Sequence, residues 1–203
     1  MKKALIVLDI QNDFLPGGSL AVAKGDKIIS GINRIMRGFD RVVATQDWHP
    51  YNHKSFATQH AGKKPFDVIP WGEQTQVLWP NHCVQGSFGA RFSTKLNQKR
   101  IHAIFRKGMR PEVDSYSGFF DNDHKSRTGL SDYLKGLGIA EVYVCGLAGD
   151  YCVYHTALDA SRLGFKTHYL SDLTQYIAAD SREKALAGLL DKGVKVLQSG
   201  AVV

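Results

Sequence analysis

The chain has 203 residues, 43% hydrophobic and 22% charged, with 26 basic against 19 acidic side chains. That balance excludes wholesale disorder. Three cysteines are too few for a disulfide scaffold and leave one unpaired. The net charge of +7 is spread along the chain, with +4 over residues 1–70, +4 over 71–140 and −1 over 141–203. It describes a solvated basic surface rather than a nucleic-acid footprint, which would gather on one element.

Met1-Lys2-Lys3 before Ala4-Leu5-Ile6-Val7-Leu8 imitates a secretory leader, but the run meets Asp9 after five apolar residues. A leader core needs roughly 7–15, and no run approaches the ~20 of a membrane helix. No membrane contact and a cytoplasmic setting are expected. Residues 3–9 predict a buried strand. Ile28, Ile29, Ile32, Ile35 and Met36 predict a helix over 26–37. Residues 41–47 and 101–107 predict two further strands, and 128–137 a short helix. A strand over 140–145 leads through Gly146 into a helix over 150–163. A strand at 166–170, a helix at 180–190 and a strand at 194–197 follow. Alternating strands and helices predict an α/β fold: a parallel, Rossmann-like six-stranded sheet with helices on both faces. The whole of 1–203 is expected to form one domain.

Residues 48–100 interrupt the alternation. They hold all three Trp, four of the eight His and four of the six Pro. Loops this long are either functional or disordered, and the aromatic content points to an ordered insertion, with a short helix expected near 88–96.

Ligands of such sheets bind outside the carboxyl ends of the strands. Asp9, Asp47 and Lys107 end strands, and Cys152 follows the Gly146 turn. Asp150 is a candidate N-cap, which puts Cys152 in the first helical turn. The positive helix end would lower its pKa and favour thiolate, and backbone N–H groups of the turn could hold an oxyanion. A buried structural Cys is the competing reading, and the one assigned to Cys83 and Cys145. Asp9 and Lys107 can move a proton and steady charge, or simply form an ion pair. Asp47-x-His49, with His53 and His82, suits Zn²⁺, Fe²⁺ or Mn²⁺; loop histidines in water are the alternative. His60, His102, His124, His155 and His168 lack such spacing. No dinucleotide fingerprint, phosphate loop or serine elbow is present.

Several motifs occur together and in order. They are Asp9-Ile10-Gln11-Asn12-Asp13-Phe14 with Gly17-Gly18-Ser19-Leu20, Thr45-Gln46-Asp47-Trp48-His49-Pro50 and Trp79-Pro80-Asn81-His82-Cys83-Val84. Lys107-Gly108 with Asp114-Ser115-Tyr116-Ser117, and Gly146-Leu147-Ala148 to Cys152-Val153, follow. This set resembles the isochorismatase-like cysteine hydrolases, in particular their nicotinamidase (pyrazinamidase) group. The resemblance implies an Asp9–Lys107–Cys152 triad and a backbone oxyanion hole at Ala148 and Cys152, with a cis peptide at Leu147–Ala148. It implies one divalent metal ion (Zn, Fe or Mn) on Asp47, His49 and His82, with His53 as a further candidate. It places Phe14, Leu20, Trp79 and Tyr116 around the substrate ring. The activity it implies is conversion of nicotinamide, and of pyrazinamide, to the acid and ammonia through a thioester, in NAD salvage. Gly149 departs from the threonine common in that group, and Tyr151 stands where some members carry histidine. The rival readings are a related amidase for another small carboxamide, and a non-catalytic α/β protein that binds a small ligand.

Overall fold

The computed structural model describes residues 2–72, 74–178 and 180–202. Six parallel strands form the main sheet: β1 (Lys2–Leu8), β2 (Arg41–Asp47), β5 (Ala103–Lys107), β6 (Ile139–Gly146), β7 (Lys166–Thr174) and β8 (Lys195–Leu197). Their order is β5-β2-β1-β6-β7-β8. The order reverses between β1 and β6, where open parallel sheets leave a crevice.

β1 is central, so both of its faces are covered and its sequence from Ala4 to Leu8 is apolar. Side chains alternate between faces. Leu5 and Val7 face a core built from Ile29, Ile32 and Ile35 of α1 (Ile29–Ile35), together with Trp79 and Phe92 of the insertion. Ala4, Ile6 and Leu8 face the other core. There they meet α2 (Leu130–Gly136), α3 (Cys152–Arg162) and α4 (Ser181–Asp191) through Leu134, Val153, Ala157 and Leu189. Among the described residues no helix is long and apolar enough to cross a membrane.

Several expectations shift. The helix predicted over 26–37 is broken into a 3-10 turn (Gly25–Ile28), α1, and a second 3-10 turn (Met36–Gly38). The strand expected at 166–170 continues to Thr174 with a register irregularity against β6. No helix forms at 88–96. Its backbone groups are taken by the loop after β1 instead, through Asn12 N to Arg91 O, Asp13 N to Gly89 O and Ser93 N to Ile10 O. The insertion also contains an unforeseen antiparallel hairpin, β3 (Val68–Trp71) with β4 (Gln74–Val77). A four-residue strand carrying a proline has too little periodicity to read.

Candidate active site

Four side chains converge at the carboxyl edge of the sheet. Asp9 follows β1, Asp47 closes β2, Lys107 closes β5, and Cys152 opens α3 after β6. The Lys107 Nζ is their hub. It lies 3.1 Å from Asp9 Oδ2, 2.5 Å from Asp47 Oδ1 and 3.3 Å from Cys152 Sγ, and donates to Ser115 O at 2.9 Å. Asp9 is fully buried, Lys107 1% and Cys152 7% exposed. Burial alone would neutralise each group, so their charges persist only through one another.

Asp9 breaks the strand by taking a left-handed φ of 49°. For a non-glycine residue this is a sparsely populated conformation held by its surroundings. Its Oδ1 accepts from Thr45 Oγ1 at 2.6 Å, while Oδ2 faces the Lys107 ammonium at 3.1 Å. Burial pushes the Asp9 carboxyl up, and the nearby Asp47 adds to that push against the opposing pull of Lys107. Burial likewise pushes the Cys152 thiol well up, with Asp9 and Asp47 acting in the same direction and Lys107 opposing. Desolvation beside two carboxylates thus opposes the thiolate that the helix end favours. These directions favour a thiol beside a carboxylate whose Oδ2 is met by the Lys107 ammonium.

The N-cap expectation also changes. Tyr151 occupies the N-cap of α3 without a side-chain bond. The Asp150 carboxylate instead accepts from Ile177 N, Ala178 N and Ser181 Oγ, tying down the loop that brings Ile177 to the cavity. The Leu147–Ala148 peptide is cis. The Ala148 O accepts from Tyr151 N and Val153 N. Among the described residues, the N–H groups of Ala148 and Cys152 donate to no protein acceptor. Gly149 has no room for a side chain, since a Cβ would meet the Tyr176 ring at 2.6 Å and the Tyr169 hydroxyl at 2.8 Å. Its turn is held by Gly149 N to Gln175 O, with the two tyrosine hydroxyls paired at 2.8 Å behind it.

Asp47 joins this cluster to a second one. Its Oδ2 lies 3.6 Å from His49 Nε2 and 3.8 Å from His82 Nε2. His49 Nδ1 is 2.8 Å from Gly108 O, and His82 Nδ1 is 2.9 Å from Pro80 O. A carbonyl only accepts, so both Nδ1 atoms carry a proton and both Nε2 atoms face Asp47. That is the donor set and outer support expected for a transition-metal ion. Gly108, at φ 65°, has no side chain because the His49 ring occupies that space. Burial and the neighbouring His49 push His82 down to about 4. Burial opposes the ionised Asp47, but Lys107, His49 and His82 hold its carboxyl well below the usual range.

His53 stands apart from this set. Its Nδ1 accepts from Ser55 N at 3.2 Å and contacts Ser55 Oγ at 2.7 Å, and its Nε2 faces Val113 O at 3.3 Å. It groups with His49 and Asp114, not with Asp47 and His82.

A small cavity opens onto both clusters. Phe14, Leu20, Trp79 and Tyr116 line it, as do Ala148 and Cys152. Tyr151 meets Trp79 and Tyr116 edge-on, with ring centroids 4.8 and 5.2 Å apart. The buried Asp114 accepts from Trp79 Nε1 at 3.1 Å and from Gln76 Nε2 at 2.8 Å, fixing that wall. Thr45, Gln76, Asp114, Tyr151 and Ile177 were not singled out as site residues in the sequence. Thr45 and Asp114 lie inside quoted motifs, but nothing in residue type alone distinguishes a buried support from a surface polar group.

A parallel α/β sheet with a Cys–Lys–Asp cluster at its switch point defines the class. The family profile of the isochorismatase domain matches residues 3–201, and the chain belongs to that family. Within it, the chain is 47% identical over 197 residues to the nicotinamidase of Acinetobacter baylyi, covering 97% of this chain and 92% of that protein. A nicotinamidase pyrazinamidase structure from Acinetobacter baumanii superposes with a TM-score of 0.97 at 48% identity, covering 100% of this chain and 98% of that one. The pyrazinamidase of Pyrococcus horikoshii in complex with zinc superposes with a TM-score of 0.80 at 39% identity, covering 98% and 99%.

Proposed function

We propose that residues 1–203 act as one catalytic domain that hydrolyses nicotinamide to nicotinate and ammonia, with pyrazinamide as an alternative substrate. The observation that carries this is one cavity lined by Cys152, Asp47 and His82 together, with Lys107, Asp9 and His49 packed against them from behind. The carboxamide lies between the thiol and the free N–H groups of Ala148 and Cys152, with its ring against Phe14, Leu20, Trp79 and Tyr116.

The Asp9 carboxylate accepts the Cys152 proton as the sulfur bonds to the carboxamide carbon. The carbonyl oxygen takes up the negative charge, held by the two backbone donors. Asp9 returns the proton to the amide nitrogen as the carbon–nitrogen bond breaks and ammonia leaves. Water then adds to the thioester while Asp9 takes its proton. The carbon–sulfur bond breaks, and Cys152 recovers its hydrogen as nicotinate departs. Lys107 keeps Asp9 ionised between these transfers. Dividing one hard hydrolysis into two easier steps is the gain of covalent catalysis.

Asp47, His49 and His82 would hold one divalent ion, zinc, iron or manganese. When bound, it supplies a Lewis acid that fixes the ring nitrogen of the substrate. His53 is left as a support for the loop. The product fits NAD salvage, and three buried free thiols fit a reducing compartment such as the cytoplasm.

Ammonia release from nicotinamide tests the whole reading. Turnover should vanish after chelation and return with Zn²⁺, Fe²⁺ or Mn²⁺. Full turnover by chelated protein would overturn the role given to the donor set. Absence of turnover under every metal would overturn the substrate.

A further inference from the structure

β1 and β2 run in register from Ala4 opposite Arg41 to Val7 opposite Ala44. Beyond that point β1 ends and Asp9 turns the chain away at φ 49°. β2 continues to Asp47, paired on its other side with Lys107. The backbone N–H and C=O of Asp47 are thus left facing the gap where β1 would have been. The side chain of Gln11 fills it. Its Oε1 accepts from Asp47 N at 2.8 Å, and its Nε2 donates to Asp47 O at 2.8 Å. The second Nε2 hydrogen goes to Ala90 O at 2.9 Å. Gln11 is fully buried. Its carboxamide stands in for a peptide group and extends the ladder by one residue through a side chain.

The residue held this way is the one that both clusters share. One Asp47 oxygen meets Lys107, and the other faces His49 and His82. A swing of the Asp47 backbone would move both oxygens together. We propose that Gln11 is a positioning residue that sets the aim of Asp47, so that one buried amide tunes metal retention and the Lys107–Cys152 geometry at once. This rests on the function proposed above and touches neither substrate nor reacting atoms.

The prediction is read first as zinc affinity, by competition between apo-protein and a chromophoric chelator, with circular dichroism checking the fold. Gln11→Leu removes all three bonds. Gln11→Glu keeps the shape and an acceptor but loses both donated hydrogens, and it serves if the leucine variant does not fold. Outer supports of metal ligands are worth about 10–100-fold in affinity, and a loss of that size is expected in either variant. At saturating zinc, kcat should stay depressed while KM changes little, because Lys107 remains misaligned. Gln46→Leu is the control: Gln46 also donates to Ala90 O, at 2.9 Å, but makes no bond to the Asp47 backbone. It should keep wild-type zinc affinity. Wild-type affinity in Gln11→Leu, or an equal loss in Gln46→Leu, would overturn the proposal. A wild-type protein that takes up no zinc would instead overturn the metal reading itself.

Discussion

At the carboxyl ends of β1, β2 and β5, the charges of Asp9, Asp47 and Lys107 are sealed from water. On β6 and β7 of the same sheet, Glu141 meets Lys166 at 2.9 Å, His168 at 2.6 Å and Tyr143 at 3.2 Å. These partners sit directly across the strands, Glu141 opposite Lys166 and Tyr143 opposite His168. Here the Lys166 side chain is 52% exposed, so water shares the work and the cluster is an ordinary cross-strand network. The sealed cluster is different. Two carboxylates compete for one ammonium, and burial pushes the neighbouring thiol well up. The contrast shows where conflict is kept. Glu141 has its partners to itself, whereas in the buried set Asp9 and Asp47 share one ammonium beside a thiol, the arrangement that the proposed proton transfer uses.

The largest effect that can break this comparison is Cys152→Ala. Loss of a nucleophile from a working set typically costs about 10⁴–10⁶-fold in kcat, and steady-state ammonia release should fall by that order with the fold intact. Retained turnover would remove the sealed cluster from catalysis altogether. Lys107→Met comes next. It strands two buried carboxylates, and breaking a buried pair costs about 3–5 kcal/mol. Urea denaturation should show that loss along with the loss of activity; an unchanged midpoint would mean that the cluster is wetter than described.

A pH profile sharpens the contrast further. Asp9 must be ionised to accept a proton, and burial raises its pKa. The acid limb of kcat/KM should therefore lie above the ordinary aspartate value of about 3.9. A limb at or below that value would count against Asp9 as the base.

The smallest effect belongs to the open cluster. Hydrogen bonding from Lys166, with His168 and Tyr143 adding to it against some desolvation, holds Glu141 down to about 2 from an ordinary 4.5. A depressed carboxylate stabilises above its unfolded pKa and loses that contribution as pH falls through the folded one. Glu141→Gln should cost about 1 kcal/mol at pH 7 after solvent screening. The cost should fade between pH 4.5 and 2. A penalty that persists at pH 2 would point to packing rather than charge.

Much of this molecule is legible before folding. The apolar run of residues 4–8 reads as a strand covered on both faces, because it is too short for a buried helix and stops at Asp9. The reactive residues that end strands announce the working edge of the sheet, since parallel strands all deliver their last residues to one side. The motif spacing around Asp9, Asp47, His49, His82, Lys107 and Cys152 named the residues that meet. The tertiary structure decided how they meet. It put Lys107 on Asp47 as well as Asp9, raised the Cys152 thiol by burial, sent Asp150 to the loop at Ile177, and kept His53 away from Asp47 and His82. It also gave Gln11 its place in the ladder. Each of these depends on which groups share a space without water and on which backbone atoms lack a strand partner, and neither is a property of any residue by itself. Composition and spacing select the reagents, while desolvation and unpaired backbone groups exist only once the chain has closed around them.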